Sequence, residues 1–179
     1  GIDYPGEVSG IVPEYSEYTG AWASMAFGQA LAVPPFQMAR AISAIANDGV
    51  LVQPHFLVSI AGQQQNYPEV GRAISSDTAR QVSEMMYSVI EHGYGNTGKV
   101  EGYRLSGKTG TAERVDDTTG LYFANTNTVS FIGFGPTDDP KVLVYVMIDY
   151  VTGATGSEAA GPVWSVIMET ALKKLQIPP

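Results

Sequence analysis

Hydrophobic and polar positions follow changing rhythms along the chain. The first 34 residues show no period. Pro5-Gly6, Ser9-Gly10 and Pro13 punctuate them, and they read as loop and turn. From Pro34-Pro35 a helical period sets in, with Phe36, Met38, Ile42 and Ile45 on one side. Pro35 stands near the first helical position, where its missing N–H costs nothing, and Gly49 after Asn47-Asp48 is the stop. Val50-Leu51-Val52 reads as a short extended piece ended by Pro54, and residues 53–72, with Gln63-Gln64-Gln65-Asn66, as a polar connection. A second helix follows. Ser75 or Ser76 can cap it, and Arg80 to Glu91 sets Val82, Met85, Met86, Val89 and Ile90 on one face before His92-Gly93 ends it.

After the glycine-rich stretch Gly93 to Lys99 the pattern turns extended. Strands are expected over Tyr103 to Val115, Thr128 to Phe134 and Val142 to Tyr150. The third is apolar almost throughout, which suits a strand buried on both faces. Pro136-Thr137-Asp138-Asp139-Pro140 is a tight connection, so the second and third strands should pair as a hairpin. A closing helix is expected from Pro162 to Leu175, with Val163, Ile167, Ala171 and Leu175 as its apolar face. Nothing repeats internally. Helices, then a run of antiparallel strands, then a helix make an α/β chain of the α+β type: an antiparallel sheet flanked by helices.

The composition narrows the chemistry. Of 179 residues, 44% are hydrophobic, which fits a globular domain. The net charge of −8, with no basic run to offset it, argues against a nucleic-acid partner. The absence of cysteine excludes disulfides, thiolate metal sites and a cysteine nucleophile. No apolar run is long enough to cross a bilayer. The chain opens on Gly1-Ile2-Asp3-Tyr4 without a methionine, which reads as a piece of a longer protein with any export signal or anchor upstream.

The stretch richest in chemistry is Leu105-Ser106-Gly107-Lys108-Thr109-Gly110-Thr111-Ala112-Glu113. A bare Lys-Thr-Gly is compatible with an ordinary surface turn. Gly-Lys-Thr-Gly-Thr-Ala is far more specific, and it resembles the third signature of penicillin-binding proteins and serine β-lactamases. The long form points to the penicillin-binding proteins. The resemblance implies a substrate ending in a D-alanine carboxylate. A cation and hydroxyl donors suit such an anion, and Lys108, Thr109 and Thr111 supply them. Gly110 leaves the backbone open to an extended peptide, which would pair with the strand's edge. The Thr111 N–H would face the carbonyl oxygen as charge develops there, as half of an oxyanion hole. Strand alternation puts Lys108 and Gly110 on one face and Thr109 and Thr111 on the other, so the four must act edge-on.

The resemblance extends over nearly the whole chain. Tyr4-Pro5-Gly6-Glu7 and Gly10-Ile11-Val12-Pro13 are similar to a stretch of class B, monofunctional penicillin-binding proteins. Ala26-Phe27-Gly28-Gln29 through Pro34-Pro35-Phe36-Gln37-Met38 is similar to the family's helix entry, and Ala44 to Gly49 to that helix's end. Gly93 to Gly98 and Ser130-Phe131-Ile132-Gly133-Phe134 resemble the segments before and after the Lys-Thr-Gly strand. Two departures are Gly161, in Ala160-Gly161-Pro162-Val163 where the family usually has Ala-Ala-Pro-Val, and the separation of Gly153 from Gly156. Neither is expected to touch the chemistry. A larger one is that no serine here has Lys three residues on, and no Ser-x-Asn occurs. Both signatures lie upstream in the family, so a truncated N-terminus accounts for both. Without a nucleophile and its base this chain alone is expected to form no acyl-enzyme.

Other features read as structural. Gly93-x-Gly95-x-x-Gly98-Lys99 imitates a phosphate loop but follows a helix and precedes a strand, the reverse of what such a loop needs. His55 and His92 share no metal-ligand spacing with each other or with nearby acids, and His92 is expected to interact with its helix end. Asp116-Asp117, Asp138-Asp139 and Glu158 read as solvated loop carboxylates, and Met85-Met86 as core filling. Trp22 and Trp164 read as packing residues, with a groove lined by Tyr15, Tyr18 and Trp22 ranked below that.

The resemblance thus implies residues 1–179 as the C-terminal portion of one transpeptidase domain. The intact protein would be a three-layer α/β domain cross-linking peptidoglycan stem peptides through a serine acyl-enzyme. It would bind D-Ala-D-Ala peptides and β-lactams, use no cofactor or metal, and sit at the bacterial cell membrane with this domain on the outer side, anchored upstream. Other cell-wall synthesis or division proteins would be among its partners. Two alternatives stay open: a serine β-lactamase-like hydrolase, and a non-catalytic scaffold that keeps the strand without the serine.

Overall fold

The computed structural model describes residues 2–14, 20–116 and 118–179. Tyr15, Tyr18 and Asp117 lie outside the described residues. The chain forms two compact units, residues 1–79 and 80–179.

The first unit is built on short elements. Helix α1 (Ala21–Met25) interrupts the stretch expected to be all loop. An isolated bridge joins Ile11 to Ala32, their amides and carbonyls exchanging bonds of 2.6 and 2.9 Å. Helix α2 (Pro35–Ala46) begins at the expected proline, and Gly49 ends the turn beyond it at φ +85°, where a Cβ would lie 2.1 Å from the Ile74 carbonyl oxygen. Strand β1 (Val50–Val52) pairs antiparallel with β4 (Glu69–Arg72). Between them β2 (Ser59–Ile60) and β3 (Gln63–Gln64) form a minimal hairpin. The turn residues Ala61 and Gly62 both have positive φ, +49° and +80°, as a primed hairpin turn requires. The region expected to be a plain polar connection therefore contains three strands. β2, β3 and β4 are exposed at every residue, so no hydrophobic alternation announces them. Asp3 ties the segment down: its carboxylate accepts the amides of Phe56 (2.7 Å) and Leu57 (2.8 Å), with the Tyr67 hydroxyl 3.1 Å away. Those amide bonds hold the Asp3 carboxyl below its ordinary range. His55 stacks flat on Tyr67, ring centroids 3.7 Å apart.

Helix α3 (Ser76–His92) is capped by Ser75, whose hydroxyl accepts the Thr78 amide at 3.1 Å. Met86 and Ile90 are buried as expected. Met85 is 63% exposed, so only one methionine of the pair fills core. A 3₁₀ turn (Asn96–Gly98) follows.

The second unit is dominated by a sheet of order β5-β6-β7, antiparallel throughout: β5 (Ser106–Val115), β6 (Tyr122–Gly135) and β7 (Val142–Thr152). The expected hairpin between the last two strands is present. β5 starts three residues later than expected, because residues 100–103 form a turn, with the Tyr103 amide on the Val100 carbonyl and Gly102 at φ +85°. β7 is not buried on both faces. Val144 and Val146 face the core, while Met147 is 48% and Tyr150 57% exposed.

Helix α4 (Gly156–Lys174) lies on the sheet. It begins six residues before Pro162, which sits inside it. Its start is a capping box. Thr155 Oγ1 accepts the Glu158 amide (3.4 Å), and the Glu158 carboxylate accepts the Thr155 amide (2.8 Å) and hydroxyl (2.9 Å). Glu158 is therefore a helix cap and not a loop carboxylate. The buried stripe is Ala160, Trp164, Met168 and Leu172, each fully buried. The expected Val163, Ile167 and Leu175 are 44%, 44% and 60% exposed. Each of the large chains in the stripe contributes about 1.5–3 kcal/mol of burial.

At the centre Trp164 packs on Phe131, centroids 4.8 Å apart. Glycines make room for these rings. A Cβ on Gly98 would meet Phe131 at 2.5 Å, one on Gly107 at 2.7 Å, and one on Gly133 would meet Trp164 at 2.9 Å. Gly161 faces Thr97, whose hydroxyl bonds the Ser157 carbonyl at 2.7 Å; a Cβ there would lie 2.0 Å from Thr97 Oγ1. That is the physical reason for the departure at Gly161. Among the described residues no helix is long and apolar enough to cross a membrane.

Candidate substrate strand

The strand that carries Lys108, Thr109, Gly110 and Thr111 is anchored at its start. Ser106 is fully buried; its hydroxyl donates to the Ser83 carbonyl at 2.8 Å and lies 3.0 Å from Thr137 Oγ1. Arg104, just before it, pairs with Glu84 on α3 (3.1 Å) and with Asp138 in the β6–β7 turn (3.1 Å), and covers the Tyr87 ring. Helix, strand and turn are thereby locked where the strand enters.

Beyond the anchor the strand has two unlike borders. β5 pairs with β6 through Lys108↔Ile132, Thr109↔Phe131, Gly110↔Ser130 and Thr111↔Val129. The carbonyl oxygens of Gly110 and Ser130 lie 2.3 and 2.6 Å from the Cβ position of Gly156. Both therefore point into the seam between the two strands. Backbone polar groups alternate sides along a strand, so the N–H and C=O of Thr109 and Thr111 point to the other border. No strand among the described residues pairs there. The Lys108 side chain is exposed and curls to that border, Nζ donating to the Thr109 carbonyl at 2.9 Å. The border thus brings together the Lys108 amine, the Thr109 carbonyl and the Thr111 amide.

The hydroxyls follow the alternation. Thr109 is half-buried on the α4 face. Thr111 is more exposed, and its Oγ1 accepts the Gly156 amide at 3.0 Å. Gly156 was expected to stand clear of the chemistry and instead touches the strand. Sequence reading missed it because the contact is tertiary. The Thr155-x-x-Glu158 capping pattern was the available signal for where α4 begins. Gly110 has a second reason for being glycine, since a Cβ would lie 2.4 Å from the Ser130 hydroxyl across the ladder.

The remaining candidates are brought to other uses. Asp138 and Asp139 are in ion pairs with Arg104 and Lys141. Asp116 accepts the Thr118 amide, which lowers its pKa. Among the described residues no cluster of His, Cys, Asp and Glu could hold a metal. A cavity of about 380 Å³ lies between α3 and residues 99–105, lined by Tyr87, Ile90, Val100, Tyr103 and Leu105, and contains none of the Lys-Thr-Gly run.

The family model described as the penicillin binding protein transpeptidase domain matches residues 1–169. The chain belongs to the penicillin-binding protein transpeptidase family. Stage V sporulation protein D of Bacillus subtilis is 38% identical to this chain over 189 residues, covering 100% of it and 29% of the relative. The probable peptidoglycan D,D-transpeptidase PenA of Neisseria gonorrhoeae is 37% identical over 180 residues, covering 98% of this chain and 30% of the relative. Among solved structures, penicillin-binding protein 3 of Mycobacterium tuberculosis complexed with aztreonam superposes at a TM-score of 0.85 with 29% identity, over 97% of this chain and 42% of that one. The transpeptidase-family chain thus spans about three tenths of the length of the curated relatives it matches.

Proposed function

We propose that this chain supplies the substrate strand of a peptidoglycan D,D-transpeptidase that works through a serine acyl-enzyme. The observation that carries the reading is the border of β5 that pairs with no described strand, where the Lys108 amine lies on the Thr109 carbonyl. A stem peptide ending in D-Ala-D-Ala would add to that border as a further strand. Its terminal carboxylate would be held by the Thr109 and Thr111 hydroxyls under the Lys108 charge. The Thr111 N–H would stabilise the oxygen of the scissile carbonyl as a serine hydroxyl attacks it. The serine loses its proton to a neighbouring base, the C–N bond breaks, and D-alanine leaves as the amine. A second amine then takes the acyl group and frees the serine. β-Lactams would occupy the same strand and acylate the same serine.

The nucleophile is assigned to a segment outside residues 1–179, because no serine here has a lysine three residues on. The same reading puts the domain on the outer side of the bacterial cell membrane, with its anchor in another segment. The test is peptide mapping of a penicillin adduct on the protein that carries this chain together with its serine. The penicilloyl group is expected on a serine outside this chain. An adduct on any serine within it would overturn the assignment.

A further inference from the structure

We infer that Gly156, at the start of α4, is a positioning residue that aims the Thr111 hydroxyl at the bound carboxylate; this rests on the role proposed for Thr111. The Gly156 amide donates to Thr111 Oγ1 at 3.0 Å. A hydroxyl has one proton to give and lone pairs to receive with. With one lone pair engaged by Gly156, the Thr111 O–H turns away from α4 and stays available to an anion at the strand.

The contact exists only because residue 156 has no side chain. Its Cα lies over the β5–β6 ladder, where a Cβ would stand 2.3 Å from the Gly110 oxygen, 2.6 Å from the Ser130 oxygen and 3.1 Å from the Gly110 nitrogen. All three are backbone atoms of paired strands and cannot swing aside. The amide is also fixed from behind by the reciprocal bonds between Thr155 and Glu158. α4 is held to the sheet independently by Ala160, Trp164, Met168 and Leu172. Packing therefore does not require the bond to Thr111.

The test uses the protein that carries this chain together with its serine, and compares acylation by benzylpenicillin with acylation by its methyl ester, which lacks the carboxylate charge. The readout is the acid-to-ester rate ratio. Thr111→Val should lower the ratio by about tenfold to a hundredfold, the worth of a hydrogen bond to a charged group. Gly156→Ala should move it the same way, the acid rate falling by more than the ester rate. Glu158→Ala keeps residue 156 unchanged and loosens only the cap; it should give a smaller shift of the same sign, and it decides the matter if Gly156→Ala fails to fold. A ratio that collapses in Thr111→Val but holds in the Gly156 and Glu158 variants, with both rates falling in parallel, overturns the positioning role and leaves the reading of Thr111 standing. A ratio unmoved by Thr111→Val removes that reading and this inference with it.

Discussion

The indole Nε1 of Trp164 donates to the main-chain carbonyl of Val144 at 2.9 Å, with the tryptophan fully buried. The bond fixes the rotation of α4 on the sheet. Trp164→Phe keeps most of the apolar area but gives up this hydrogen bond to a carbonyl that also faces Gly133 across the ladder, and is expected to cost about 0.5–1.5 kcal/mol. Trp164→Ala removes the filling as well and should cost about 3–5 kcal/mol. Urea unfolding followed by circular dichroism measures both. A Trp164→Phe variant as stable as the parent would deny the bond any separate part.

Gly161 and Thr97 should behave as a coupled pair. A methyl at Gly161 meets Thr97 Oγ1 at 2.0 Å and Thr97 Cβ at 2.9 Å. Gly161→Ala is expected to lose about 1–3 kcal/mol. Thr97→Ala removes the closer atom and gives up the bond to Ser157, so the double variant should be more stable than the sum of the single losses predicts, by at least about 0.5 kcal/mol. Strict additivity in a double-mutant cycle would refute the clash.

The α4 cap should weaken in acid. Bonds from the Thr155 amide, and then from its hydroxyl, hold the Glu158 carboxyl below its ordinary 4.5. A carboxyl depressed by folding contributes stability that is complete above its unfolded pKa and is lost as the pH falls through the folded one. The gap in melting temperature between the protein and its Glu158→Gln variant should therefore be constant above pH 4.5 and close below it. A gap that persists undiminished well into the acid range would remove the carboxylate from the cap.

Lys108 is exposed, and its amine donates to the neighbouring Thr109 carbonyl. Lys108→Gln should leave the melting temperature within about 0.5 kcal/mol equivalent of the parent. Acylation by a fluorescent penicillin, in the protein that also carries the serine, should slow by about tenfold to a hundredfold, the worth of a contact to a charged group. Near-parental acylation would take Lys108 out of the chemistry.

The pattern of the chain revealed some elements well and others poorly, for physical reasons. Helix α2 was marked at both ends, by Pro35 and Gly49, and the β6–β7 hairpin by two long apolar runs around a proline-bounded turn. α4 was placed late because Pro162 reads as an opening residue, whereas the helix accommodates it six residues in. Its apolar face was assigned one position out of phase: residues four apart from Ala160 and four apart from Val163 are both apolar, and only the packing of Trp164 against Phe131 chooses between them. β2, β3 and β4 escaped because every residue in them is exposed. The Lys-Thr-Gly strand was legible as a motif. That its hydroxyl leans on Gly156 was not, because residues 45 apart meet only when the helix settles on the sheet.

The ring of Phe131 has a wider meaning for how this sequence can change. Its outline is recorded in its neighbours as missing atoms, at Gly98 and Gly107. A larger residue at either position is excluded while the phenyl group is present and becomes admissible only once it shrinks. Substitutions at these sites should therefore come in linked steps, one neighbour giving up the volume that another takes.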